Sequence, residues 1–271
     1  MKAAREAIAF AFLPIALGAI VFLPPWVYLA MVWTITMLAA RELLVLLRRL
    51  GQPAPLAPTL VALGVTLPTL WTLGLHKAGA VLALVLLLMP AVYLFGRYPI
   101  GGAAAAITGA TFTALYFLVT GGAMGLMRTA FDGTLGTKTV LIHCLTIWGC
   151  DSGAYYVGSN FGRHRLAPSV SPKKSWEGIV GGTALAAFGV WFCRTVFFPE
   201  LPVATSLALF VSVSVLAPIG DLVESVFKRD AGVKDSSDLI PGHGGFLDRT
   251  DSLFFAAPFD LALFILVGVA G

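Results

Sequence analysis

Runs of about twenty apolar residues, separated by short polar or glycine- and proline-rich stretches, recur along the whole chain. A helix crossing a bilayer needs about 20 such residues. Nine segments fit: 7–23, 27–47, 57–75, 79–96, 101–125, 139–158, 177–197, 203–224 and 252–269. The pattern therefore predicts an all-α fold, a polytopic integral membrane protein with about nine transmembrane helices. The fifth run is long, which suggests a tilted helix or one broken near Gly121 and Gly122. Lys2 and Arg5 ahead of an apolar stretch resemble a signal peptide. No small-residue cleavage site follows, however, and Pro24-Pro25 reads as the turn of a helical hairpin, so a retained helix is expected.

Composition agrees with this reading. Of 271 residues 58% are hydrophobic and only 12% are charged, against roughly 25% charged in a soluble domain. Orientation follows from lysine and arginine. With the amino terminus inside, thirteen of these lie on the cytoplasmic side and four outside, with Arg41 within a span. The net charge of +4 then faces anionic headgroups, and nothing suggests a nucleic-acid partner. Cys144, Cys150 and Cys193 fall in spans and read as packing residues rather than a disulfide framework.

Polar chemistry is confined to one part of the chain. Glu6, Glu42 and Asp132 lie before residue 135, and every other acid follows. A single membrane domain, 1–271, is expected, with an apolar scaffold half (1–135) and a catalytic half (136–271). Two segments too polar to span, 158–178 and 225–251, should emerge on the same cytoplasmic face.

Asp221 and Glu224 are three residues apart, on one helix face, after Pro218 and Gly220, which can bend a helix. Asp248 and Asp251 repeat that spacing. Paired carboxylates suit a hard cation such as Mg2+, and they equally suit helix-end charges facing Lys228, Arg229 and Arg249. Gly242, His243, Gly244 and Gly245 form a turn whose N–H groups can approach an anion. Lys173, Lys174 and Trp176 fit either a phosphate site or an interfacial anchor. Asp151, inside the sixth span, needs a cavity or a partner. His76, His143 and His164 show no metal-ligand spacing and read as structural or exposed.

Ser225, Lys228, Arg229, Lys234 and Asp235, followed by Pro241-Gly242-His243-Gly244-Gly245 and then Asp248, Arg249 and Asp251, resemble the signature of the phosphatidate cytidylyltransferase (CDP-diacylglycerol synthase) family. Asp151, Tyr155, Gly158, Phe161-Gly162-Arg163 and the run from Ser171 to Gly178 resemble the block that precedes it. The likeness is close over 148–251 and elsewhere extends only to a string of spans. It implies transfer of the cytidylyl group of CTP to phosphatidic acid at the cytoplasmic face of the plasma (inner) membrane. CDP-diacylglycerol and pyrophosphate would be the products, Mg2+ the cofactor with a second cation such as K+, and a homodimer the assembly. On that resemblance Asp221, Asp248, Asp251 and Glu224 hold the cation. Lys228, Arg229, Lys234 and Arg249 hold phosphates, Gly242, Gly244 and Gly245 cradle them, and Lys173 and Lys174 receive CTP or the lipid headgroup. Asp221, Asp248, Asp251, Lys228, Arg249 and His243 form the catalytic set.

His243 is expected to donate a hydrogen bond rather than act as a base. A phosphate monoester has its second pKa near ~6, so its attacking oxygen is already ionised at neutral pH. Two rivals remain. A CDP-alcohol phosphotransferase requires a DGxxAR-type motif that this sequence lacks. A cation-coupled transporter would use Asp151, Asp221 and Glu224, but calls for charges spread through the membrane depth.

Overall fold

The computed structural model describes residues 16–240, 242 and 244–269. Its helices are α1 (16–22), α2 (Pro25–Arg49), α3 (Leu56–Leu73), α4 (Ala78–Phe95), α5 (Ala103–Thr129), α6 (Leu135–Phe161), α7 (Trp176–Val196), α8 (Val203–Asp230) and α9 (Leu247–Leu266). They follow the nine apolar runs in order, and the protein is an all-α polytopic membrane protein. Six of the described helices are long and apolar enough to cross a membrane: α2, α3, α4 with the 3-10 turn before it, α5, α7 and α8. The helices α6 and α9 have the length, at 27 and 20 residues, but are not among the six that are also apolar enough. The first predicted span lies largely outside the described residues.

The chain forms two compact units, Met1–Ala130 with Phe227–Thr250, and Phe131–Val226 with Asp251–Gly271. The boundaries run through α8 and α9. The sequence had grouped Phe227–Thr250 with the carboxyl-terminal half, whereas by contact it belongs with the helices before residue 131.

In the first unit α5 packs on α2, α3 and α4. Gly121 and Gly122 do not break α5, which runs without interruption from Ala103 to Thr129. They allow close approach instead: a Cβ on Gly121 would sit 2.6 Å from Thr36 Oγ1, and one on Gly122 2.6 Å from Leu70 Cδ2. The Trp71 indole N–H completes the seam by donating to the Gly122 carbonyl at 3.1 Å. Small residues that let backbones approach are how membrane helices gain packing without a hydrophobic driving force between them.

In the second unit α6 and α7 make the tightest pairing by the same means. A Cβ on Gly153 would lie 3.1 Å from Gly182 Cα, and one on Gly182 would lie 2.8 Å from the Cys150 carbonyl. Cys144, Cys150 and Cys193 are free thiols, buried as packing residues. His143 is also buried, with Nδ1 2.7 Å from Asp260 Oδ2 and Nε2 3.1 Å from the Leu253 carbonyl. Ser212 donates to the other Asp260 oxygen at 2.7 Å. This network satisfies polar groups of α6, α8 and α9 away from lipid, as an intramembrane acid requires. Segment 158–178 is not a simple loop. It folds into an antiparallel hairpin of β1 (Arg165–Ala167) and β2 (Ser171–Ser175), and Ser175 Oγ then caps α7 by accepting from Gly178 N at 3.1 Å.

Candidate active site

Three carboxylates meet in the second unit. Asp221 and Glu224 lie one turn apart on α8, and Asp251 ends the first turn of α9; their ligand oxygens all fall within 4.8 Å of one another. Gly220 makes this possible, because a Cβ there would sit 2.8 Å from the Asp251 carbonyl and 2.7 Å from Phe255 Cβ. Pro218 stays within an unbroken α8. Side chains take up carbonyls beside it: Ser252 Oγ donates to Ala217 O at 3.1 Å, and Lys174 Nζ to Pro218 O at 3.2 Å.

Lys174 Nζ also lies 2.9 Å from Asp221 Oδ2. It leaves the hairpin toward the acids, while its neighbour Lys173 is exposed. Ser252 Oγ reaches Asp151 Oδ1 at 3.4 Å, so Asp151, exposed on α6 rather than buried, adds its charge to the acidic group. Carboxylates this close repel one another unless a cation or proton joins them. Oxygen donors from three side chains on two rigid helices are a donor set that fits a hard divalent cation.

Asp248, expected among those ligands, has partners of its own. In the first unit its Oδ1 sits 2.5 Å from Lys228 Nζ, and its Oδ2 accepts from Ser236 N (2.8 Å), Ser236 Oγ (2.6 Å) and Gly245 N (2.8 Å). Its oxygens are therefore committed to the turn, and so is Lys228, which had been expected on a phosphate. Asp248 precedes the apolar part of α9. Burial alone would raise its pKa, but hydrogen bonds from Lys228, Ser236 and Gly245 N, with the lysine charge, outweigh this and hold it at about 2.

The glycine turn has the backbone its sequence suggests. Gly242 and Gly244 have φ of +74° and +80°, the left-handed region that favours glycine, and Ile240 N donates to Gly244 O at 3.0 Å. The amides at its end nevertheless already have acceptors. Gly245 N is taken by Asp248, and Phe246 N and Leu247 N by Glu42 of α2, at 3.2 and 2.8 Å. The Gly245 amide is thus already engaged, at a place where two carboxylates come close. Glu42, read as part of the scaffold, is the residue that sequence reasoning missed, although an acid inside a span needs a partner somewhere. Arg229 is exposed and donates to Val233 O at 2.7 Å. Lys234 and Arg249 are exposed as well. His243 lies outside the described residues.

A polytopic helical membrane protein with three carboxylates gathered on two helices, and basic groups on the same two helices, defines a narrow class. Comparison with known sequences specifies it further. The profile of the Cytidylyltransferase family matches residues 3–267, and the chain belongs to that family. It is 48% identical over 128 residues to the phosphatidate cytidylyltransferase of Haemophilus influenzae, covering 46% of this chain and 44% of the relative. It is 42% identical over 124 residues to that of Bacillus subtilis, covering 46% of each. For that of Thermotoga maritima the identity is 41% over 140 residues, covering 49% of this chain and 52% of the relative. The chain spans about half the length of the curated relatives it matches.

Proposed function

We propose that this protein transfers the cytidylyl group of CTP to phosphatidic acid, forming CDP-diacylglycerol and releasing pyrophosphate, a step of phospholipid biosynthesis. The observation that carries the reading is the meeting of Asp221, Glu224 and Asp251, in a chain whose family and relatives bear the cytidylyltransferase name. Both reactants are polyanions, so the main tasks are neutralising charge and aligning the attacking oxygen with the α-phosphorus.

Asp221, Glu224 and Asp251 would hold Mg2+, which when bound offsets charge on the attacking and leaving oxygens. If Asp151, Asp221, Glu224 and Asp251 are all ionised, Lys174 and one divalent ion leave one negative charge over, which accommodates a second, monovalent cation such as K+. Lys234, between α8 and α9, with Arg229 of α8 and Arg249 of α9, is assigned to phosphate oxygens of the nucleotide. Lys173, exposed on β2, is assigned to the nucleotide or to the lipid phosphate. His243 is assigned a donor role: His243→Gln should retain more turnover than His243→Ala, and equal collapse of both would favour a base.

The site is proposed to face the cytoplasm, and the assembly to be a homodimer. Cysteines introduced at the exposed Pro172 and Asp238 should resist an impermeant thiol reagent in intact cells, and labelling of either from outside would overturn that face. The decisive assay supplies purified protein with CTP, phosphatidic acid in mixed micelles, and Mg2+. A CDP-lipid with equimolar pyrophosphate is expected, and absence of both would sink the reading.

A further inference from the structure

Glu42 lies inside α2, about two turns before its end at Arg49, and is 1% exposed. Nothing in the cytidylyl-transfer reading calls for it. Yet its carboxylate accepts four hydrogen bonds from residues about two hundred positions further along. Oε1 accepts from Ser237 Oγ at 2.7 Å and Phe246 N at 3.2 Å. Oε2 accepts from Ser236 Oγ at 2.9 Å and Leu247 N at 2.8 Å. All of these residues belong to one compact unit.

Gly245 makes the same point from the other side. A Cβ there would lie 2.5 Å from the carboxyl carbon of Glu42, so the turn is shaped around this side chain. The first N–H groups of a helix have no partner within it. For α9 two donors at that end are satisfied by a carboxylate from a distant helix. Ser236 links this arrangement to Asp248: its N donates to Asp248 Oδ2, and its single hydroxyl proton is shared between that oxygen and Glu42 Oε2.

We propose that Glu42 is a positioning residue. It fixes Ser236, Ser237, Phe246 and Leu247 against α2, and so sets the direction in which Arg249, Gly242 and Gly244 present themselves to nucleotide phosphate. The proposal rests on the assignment of that turn to phosphate binding.

The test uses the full chain in nanodiscs with Glu42→Gln. Glutamine keeps the shape but cannot keep the bonds. In either amide orientation its NH2 group faces Phe246 N–H or Leu247 N–H, and a backbone N–H, unlike a serine hydroxyl, cannot turn to accept. Amide hydrogen exchange at Gly245, Phe246 and Leu247 should rise by about tenfold, with exchange in α6 and α7 unchanged. The KM for CTP should rise by about tenfold, with a smaller change in kcat. Glu42→Ala should exceed both effects; should it fail to fold, Ser237→Ala, which removes one of the four donors to Glu42, should show a smaller change in the same direction. Unaltered exchange in Glu42→Gln overturns the proposal. Faster exchange with an unchanged KM for CTP overturns it as well, since Glu42 would then be a helix cap without a part in nucleotide binding. Failure of the wild-type protein to turn over CTP is a separate result, which removes the cytidylyl-transfer reading itself.

Discussion

Lys174 places its ammonium 2.9 Å from Asp221, so one of the three clustered carboxylates already has a counter-charge supplied by the hairpin. A cation entering there meets a positive charge as well as negative ones. Replacing Lys174 with methionine should therefore tighten divalent-cation binding by about tenfold, a fraction of what Coulomb's law gives for charges a few ångströms apart at an effective dielectric near 20. Mn2+ titration followed by electron paramagnetic resonance, without nucleotide, measures this directly. Weaker binding in Lys174→Met would show that the lysine orders the acids rather than competing with the ion.

Asp251→Asn and Asp248→Asn should part company, although the two residues are three apart in sequence. An amide at 251 removes charge from the clustered acids, so cation binding and turnover should both be lost while the protein stays folded. At 248 the same change leaves Lys228, whose side chain is 9% exposed, without its carboxylate. Breaking a buried pair in this way costs about 3–5 kcal/mol. Asp248→Asn should be recognised by a lower thermal midpoint, with any residual activity showing a nearly normal Mg2+ dependence. Loss of Mn2+ binding in a stably folded Asp248→Asn protein would restore Asp248 to the cation.

The pH response of Asp248 has a definite sign. Its folded pKa of about 2 lies below the ordinary value of about 3.9. Its contribution is thus fully present above the ordinary value and is lost as pH falls through about 2. The difference in stability between wild type and Asp248→Asn should stay constant from pH 8 to about 4 and shrink only below that. A difference that collapses between pH 7 and 5 would contradict the observed hydrogen bonding.

The glycine seam between α6 and α7 predicts a defect of another kind. In Gly153→Val the new side chain meets the α7 backbone at Gly181 and Gly182, which cannot move aside as a flexible side chain would. Overpacking of this sort costs about 1–3 kcal/mol. The variant should unfold at lower temperature in detergent, while the KM for CTP, measured well below that midpoint, stays within about twofold. An unshifted midpoint would mean that the helices separate there at little cost.

The spans were legible because each repeats a strong, local pattern. The same holds for Asp221 and Glu224, whose spacing along one helix already implies a shared face. Asp248 and Asp251 show where this reasoning fails. They share that spacing too, but the partners of Asp248 are Lys228, Ser236 and Gly245, and no local periodicity reveals which donors will fold back onto an acid. The hairpin at 165–175 gave no alternation of apolar and polar residues, since Ser171 to Ser175 is polar apart from its proline. Glu42 was hidden for the opposite reason. It is a single acid in an apolar helix, and its only sequence signal was being out of place.

That displacement has a consequence for biogenesis. Glu42 leaves the ribosome 194 residues before Ser236, a delay of about 10–40 s at 5–20 residues per second. Through that interval α2 must enter the bilayer with a carboxyl group whose eventual donors have not been synthesised, and an acid within a span is costly until it is paired. The final docking of α2 is thus postponed until Ser236, Ser237, Phe246 and Leu247 have been made. Chains truncated before residue 236 should hold this helix less securely in the membrane than chains that extend past Leu247.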